Sequence, residues 1–418
     1  MKVNSLGCVV GVLATVFSLA SSPGAAPDST GRTKIRFEKH QLDSRFRSEG
    51  VAVGDFNRDG KKDIAAGFVW YEAPSWKMHA VATEPPAPNS ATLGSPPWFD
   101  PKGYANSFAC FADDLNGDGW TDLLVIDFPG APTWWFENPR DVGKTWTRRL
   151  CTPVTNNESP LYTDLTGDGR REIVAPFAPS TQESDGADRQ MGFMTPGADP
   201  QKPWTIHGIS AKAAPGTRKY AHGLGVGDIN GDGRSDVVFS DGWWEAPADR
   251  SAGDWKFHAA AFGERPPQGE GKAAHLIVFD ADGDKDADVL CSSPHAYGIW
   301  WHEQLPGEKW KTHEIDKSFS QTHAVCLADL DGDGLPDFVT GKRWKAHWTG
   351  DPGGDEPAVL AWFQCARREG KTLWTRHLID EDSGVGTQFE LADVDGDGRL
   401  DIAAANKKGV FFFRQVRD

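Results

Sequence analysis

Seven short stretches of the chain place oxygen-bearing side chains at the spacing a hard cation needs, following the pattern D-x-[DN]-x-D-G-x-x-D. Five are intact: Asp55, Asn57, Asp59, Asp63; Asp114, Asn116, Asp118, Asp122; Asp228, Asn230, Asp232, Asp236; Asp329, Asp331, Asp333, Asp337; and Asp393, Asp395, Asp397, Asp401. Oxygens at positions 1, 3, 5 and 9 can wrap an ion, glycine at position 6 permits the bend, and position 7 offers a carbonyl; an all-oxygen set suits calcium. Two loops depart. The one starting at Asp164 carries Thr166 and Glu172, and the one formed by Asp280, Asp282, Asp284 and Asp288 has Lys285 in place of the glycine, so weak or absent metal is expected in both. A closed ligand set repeated along the chain points to ions that brace a scaffold.

The twelve histidines divide by position. His40, His79, His207, His258, His313 and His377 recur at one place in the repeat, which marks a packing device, and His302 falls where other repeats carry glutamate, which also suggests a structural role. His222, His275 and His323 instead precede the first aspartate of their loops by six, five and six residues, and the same place holds Glu49 and Glu158 in two other repeats and Phe108 and Thr387 in two more. Imidazoles that converge can hold a catalytic zinc or another divalent ion with one open position. The one-residue offset of His275 is the weak point of this set, because alternation along a strand turns adjacent side chains to opposite faces.

These side chains need elements to position them, and internal repeats supply those elements. An apolar run, an acidic turn and a second apolar run occur seven times, from "VAVGDFNRDGKKDIAAG" to "ELADVDGDGRLDIAAAN". Aromatic strands such as "VWYEAP" and "GWWEAP" follow, and then strands such as "WKMHAV" and "WTRHLI". Four short strands, A to D, per repeat of roughly 50 residues describe an all-β, seven-bladed β-propeller. The last repeat lacks its fourth strand, and an orphan segment, Phe37–Leu42, is available to close the ring. Strand A of each blade lines the channel, so the rim position six residues before each loop opens at the mouth opposite the acidic turns. Loops at this mouth contribute Asp127, Asp241, His295, Tyr297, Lys342, Arg343 and His347, together with Trp98, Tyr104, Arg218, Lys219 and Tyr220. An insertion, Thr83–Ser107, is long enough to form a lid.

The acidic loops with their strand flanks resemble the FG-GAP/VCBS repeat family, which includes the integrin α-subunit propeller. The likeness spans Ile35–Arg417 and implies a propeller with structural calcium, but no single activity. Blades of the type "H…GDINGDG…GWWEAP" also resemble the propeller domain of fungal aldos-2-ulose dehydratases (1,5-anhydro-D-fructose dehydratase type), and less closely propeller polysaccharide lyases. That second resemblance implies elimination chemistry with a catalytic metal in the channel. The cupin domains of the fungal enzymes have no counterpart here, so it implies no isomerase step.

Residues 1–26 read as an export signal, with Lys2 before an apolar run and small residues near Ala20 and Ala26, which leaves 27–418 as the propeller and predicts a periplasmic or extracellular protein. No later run is long enough to span a membrane as a helix. Cys110, Cys151, Cys291, Cys326 and Cys365 lack metal or redox spacing and read as buried thiols. The formal charge of −16 is concentrated in the acidic loops and argues against a nucleic-acid partner.

The favoured expectation is a lyase or dehydratase acting on a sugar or keto-sugar by β-elimination. His222, His275 and His323 would hold metal, Glu49, Glu158 or His295 would handle protons, and Tyr220 would serve as acid. The competing expectation is a non-catalytic, calcium-stabilised carbohydrate- or protein-binding propeller. Hydrolysis by Glu49 and Glu158 as paired carboxylates is a third. A G-x-S-x-G turn and a G-x-G-x-x-G phosphate loop opening a helix are both missing, which speaks against serine hydrolases and nucleotide cofactors.

Overall fold

The computed structural model describes residues 35–83, 103–267, 269–347 and 350–417, so the expected signal segment and most of the insertion, Trp98 included, lie outside the described residues. Among the described residues, twenty-eight strands form seven four-stranded antiparallel sheets. Blade 4 shows the unit: strand A at Gly225–Gly227, B at Asp236–Phe239, C at Gly242–Glu245 and D at Lys256–Ala259. The order in each sheet follows the chain except in blade 7, whose outer strand is Ile35–Asp43, paired antiparallel to Gly409–Arg417. The orphan segment therefore closes the ring and is slightly longer than expected. Among the described residues no helix is long and apolar enough to cross a membrane.

Apolar faces of neighbouring sheets bury one another. Val51, Ile64, Val69 and Tyr71 of blade 1 pack on Val394, Ala403, Val410 and Phe412 of blade 7, and equivalent clusters fill the other seams. The five cysteines among the described residues are free thiols, four of them buried.

The outer strands explain the recurring histidines. His79 stacks on Trp70 at 4.5 Å, His207 on Phe193 at 4.6 Å, His258 on Trp243 at 4.0 Å, His313 on Trp301 at 4.3 Å and His377 on Trp362 at 4.3 Å; His40 lies on Phe412 at 5.6 Å. In blade 2 the guanidinium of Arg149 takes that place, 5.6 Å from the Trp135 ring centroid. Several of these rings also bond a glutamate of strand C: His79 with Glu72, His258 with Glu245 and His313 with Glu303. Glu303 is thus the counterpart of those glutamates, and His302 is one residue out of the expected register. It occupies the buried position of Tyr71 and Trp244, bonded to Thr312 and to the Gly263 amide.

In six of the seven acidic loops position 9 is an aspartate, fully buried or nearly so, that accepts two backbone N–H groups. Asp236 takes the Ile229 amide at 3.0 Å on one oxygen and the Ala246 amide at 2.8 Å on the other, which clamps the A–B turn to the end of strand C. Asp63, Asp122, Asp288, Asp337 and Asp401 repeat this bracket. Glu172 makes its half of the bracket through one oxygen to Leu165 and Thr166. Lys285 adopts φ 80°, close to the φ 84° of Gly60 at the same position, so the loop keeps its shape at the cost of left-handed strain on a non-glycine residue.

Removing a buried acceptor orphans its donors, at about 1–3 kcal/mol each. Asp236→Ala is therefore expected to lose about 2–6 kcal/mol of unfolding free energy in denaturant titrations run with and without chelator. A loss seen only with calcium present would show that the residue serves an ion alone.

Candidate functional site

The rim positions converge at the axis, though not in the expected combination. His222 of blade 4 and His323 of blade 6 are buried at the mouth, their ring centroids 5.4 Å apart. His275 is absent from this group. Leu224, not His222, stands beside His275 in a parallel bridge, and the blade 5 residue six before its loop, the counterpart of His222, is Ala274. The His275 ring turns away, bonds the Val325 backbone and leaves Nε2 buried without a partner; alternation has flipped it, and burial lowers its pKa to about 4. The small side chain of Ala274 leaves room at the rim, and His295 from the B–C loop of the same blade fills it. His295 Nε2 faces His222 Nε2 at 2.9 Å, and its ring is 5.6 Å from that of His323. His222, His295 and His323 each offer a nitrogen within 4.8 Å of the others.

Arg343, from the B–C loop of blade 6, organises the other half of the site. Its Nε and Nη2 donate to the two oxygens of Glu49 at 3.0 and 3.2 Å, and its Nη1 donates to Glu158 Oε2 at 2.9 Å and to His323 Nε2 at 3.3 Å. Glu158 Oε2 also lies 3.6 Å from His222 Nε2 and 3.9 Å from His323 Nε2. Phe108, a rim residue without chemistry of its own, covers the guanidinium at 5.2 Å, and Tyr104 lies over it at 5.8 Å. Blades 1, 2, 3 and 6 thus meet around one cation. The sequence placed Arg343 only among the mouth loops, beside Lys342, Arg218 and Lys219, and nothing in its spacing set it apart from those.

Burial alone would raise the Glu158 carboxyl, but His222 and the Arg343 guanidinium beside it outweigh burial and hold the group well below the usual carboxylate range. Burial pushes His295 down to about 4 against a bond to Asp351, and it drives His323 well below its ordinary value with help from the Arg343 charge. Neutral imidazole is the metal-binding form. Burial lifts the Tyr104 phenol to about 12, so it stays protonated and can act as a donor. Tyr220 does not fill that role beside the cluster: it is 51% exposed and packs on Phe128 at 5.8 Å. A glycosidase acid needs a carboxyl with a raised pKa, and Glu158 is held in the opposite direction, which removes support from the paired-carboxylate reading.

The donors fit a divalent ion. Two imidazoles face each other nitrogen to nitrogen, His323 Nδ1 is buried without a partner, and tetrahedral zinc at about 2.05 Å would hold such nitrogens about 3.3 Å apart, a few tenths of an ångström wider than the 2.9 Å between His222 and His295. Glu158 is near enough to complete the set.

At the opposite mouth, neighbouring carboxylates strain the acidic loops. Burial, with the adjacent acids adding to it, lifts Asp63, Asp122 and Asp337 to about 7, and Asp236 to about 6. A cation would relieve this crowding, and arginines at position 7 do so in part: Arg234 pairs with Asp232 and Arg399 with Asp397. Neither departing loop disperses its acids. Asp164, Asp168 and Glu172, and likewise Asp280, Asp282 and Asp288, keep carboxylate oxygens within 4.8 Å of one another, as do Asp329, Asp331 and Asp333 in an intact loop.

His302 is likewise buried, and it titrates at about 4 against 6.5 when free. A depressed folded pKa gives stability that is complete above about 6.5 and is lost as the pH falls towards 4, because the unfolded chain binds the extra proton. The raised loop aspartates act with the opposite sign, so the measurement is a difference between proteins. His302→Gln is expected to show a shallower loss of stability from pH 6.5 to 4 than the parent, and parallel curves would refute the assignment.

The FG-GAP-like repeat family matches residues 114–175 and 280–340, two stretches that each begin at an acidic loop. No curated protein matches the sequence. Among solved structures, the V. cholerae biofilm matrix protein Bap1 is similar at 18% identity and a TM-score of 0.33, over 66% of this chain and 40% of that one, so this chain spans well under half its length. Rhamnogalacturonan lyase YesW is similar at 11% identity and a TM-score of 0.43, over 89% of this chain and 71% of that one. The chain carries FG-GAP-like repeats built into a seven-bladed β-propeller.

Proposed function

We propose that this propeller is an exported carbohydrate lyase or dehydratase, which eliminates across a carbon–carbon bond beside a carbonyl or carboxylate with a divalent ion held at the mouth by His222, His295 and His323. One observation carries the reading: three buried imidazoles from blades 4, 5 and 6 converge beside the Glu158 carboxylate. An ion held by these imidazoles would supply Lewis-acid polarisation of a substrate oxygen and so acidify the neighbouring C–H. Glu158, ionised at neutral pH, accepts that proton. The Tyr104 phenol, over the guanidinium, is positioned to protonate the leaving oxygen. Arg343 holds both glutamates in place, and its burial beneath Phe108 keeps water from the carboxylates. Calcium in the acidic loops braces the blades that set this geometry.

The alternative, a calcium-braced recognition propeller, is favoured by one feature. Arg343 is already satisfied by Glu49 and Glu158, so the network ties three blades across the channel without any ligand. On either reading, removing one partner of a buried ion pair costs about 3–5 kcal/mol. Arg343→Met should lose that much stability, and adding Glu49→Gln and Glu158→Gln should restore most of it.

Elemental analysis separates the two readings. A transition metal retained by the parent and lost from both His222→Ala and His323→Ala, with release of unsaturated product from a polysaccharide panel lost in Glu158→Gln, is the expected result. Calcium alone in all the proteins, with no product formed, would leave a binding module.

A further inference from the structure

We propose a second divalent transition-metal site at the same mouth, formed by His347 Nδ1, Asp351 Oδ2 and the side-chain oxygen of Gln321, with His295 bridging it to the first. The site shares His295 with the centre proposed above and to that extent rests on it. Three features point there.

The first is crowding on one oxygen. Asp351 Oδ2 lies 3.0 Å from His295 Nδ1, 2.9 Å from His347 Nδ1 and 3.1 Å from Gln321 Nε2. A carboxylate oxygen has two lone pairs, so three donors are one more than it can serve well. The two imidazoles reach it stacked, 4.5 Å apart and 18° from parallel, both with Nδ1 towards the same point. Ligands around a tetrahedral zinc with bonds of about 2.05 Å lie about 3.3 Å apart, a few tenths of an ångström wider than the spacings here.

The second feature is Gln321 itself. It is fully buried, yet its Oε1 has no hydrogen-bond partner. Buried carbonyl oxygens are rarely left bare. A half-turn of the terminal torsion exchanges the amide nitrogen and oxygen and would aim Oε1 at Asp351, which is tolerable only with a cation between them.

The third is backbone strain. Gln321 has φ 59°, and this left-handed conformation is locked by hydrogen bonds from its own amide to Ala296 and from the Arg343 amide to its carbonyl. Strain held in place this way marks a side chain whose direction matters. His347, with 35% of its side chain exposed, gives an ion a path from solvent.

The donors, imidazole with carboxylate and amide oxygen, suit zinc or manganese rather than calcium. His295 would present Nε2 to the first ion and Nδ1 to the second, so binding the second ion releases the proton from His295 Nδ1.

Counting zinc tests the proposal. The full chain is stripped with a chelator, refilled with zinc(II) in excess calcium and freed of loosely held metal by gel filtration. Two zinc ions per chain are expected in the parent, one in His347→Ala and one in Gln321→Leu, with two retained in Gln321→Glu. The ion that remains in the single-site variants reports that the mouth is still folded. One zinc in the parent and still one in His347→Ala overturns the second site and leaves the first standing, and zero overturns both. Two zinc ions in His347→Ala would overturn these ligands.

Discussion

Closure of the ring is the constraint on which the rest of the structure depends. The pairing of Ile35–Asp43 with Gly409–Arg417 joins the two ends of the chain in one sheet and leaves no open blade edge. Once the ring is shut, every strand A faces the axis and every rim position opens at the same mouth. The seams show how tight that closure is. A Cβ on Gly386 would meet the Glu49 carbonyl oxygen at 1.9 Å, and one on Gly225 would meet the Leu276 carbonyl oxygen at 2.1 Å. The first of these contacts sets the height of Glu49 in the channel, and Arg343 can reach Glu49 and Glu158 together because their blades are held at fixed angles around the axis.

The two mouths are chemically distinct because the repeat is directional. Each strand A runs from a rim residue to an acidic turn, so imidazoles and glutamates gather at one end and aspartates at the other. Hard oxygen donors suit calcium, and imidazole suits zinc and its neighbours. The same propeller can therefore keep two kinds of ion apart, one kind bracing turns and the other offered at a mouth. The bracket at position 9 shows that the turns do not depend on ions alone, since the buried carboxylates already secure backbone amides.

What could be read from the sequence was whatever repeats locally. The acidic loops, the blade count, the closing strand and the stacked outer histidines all follow from spacing within one repeat. The third blade's strand C, Gln190–Thr195, has no tryptophan and shows itself only through Phe193 stacking on His207. His302 was placed one residue out of register because two tryptophans precede it and either could have been the stacking partner. His275 failed for a reason visible in advance, its odd offset. Its replacement by His295 was not legible, because the direction of a B–C loop depends on the space that Ala274 leaves in the assembled ring. Arg343 was hidden for the same reason: its partners are 294 and 185 residues away in sequence.

The remaining question is why so much charge should sit at a mouth that apolar side chains could seal. Two rim positions are already closed by Phe108 and Thr387, so the fold accepts an uncharged rim. Burying an arginine with two carboxylates is, in stability terms, often no better than packing hydrophobic groups in the same volume. Three imidazoles add further desolvation, since burial keeps His295 and His323 neutral. A rim that served only as a plug would have no need of groups that pay so much to leave water. Their concentration on blades 4, 5 and 6, with Glu158 and Arg343 facing them, fits chemistry at the axis better than closure of the channel.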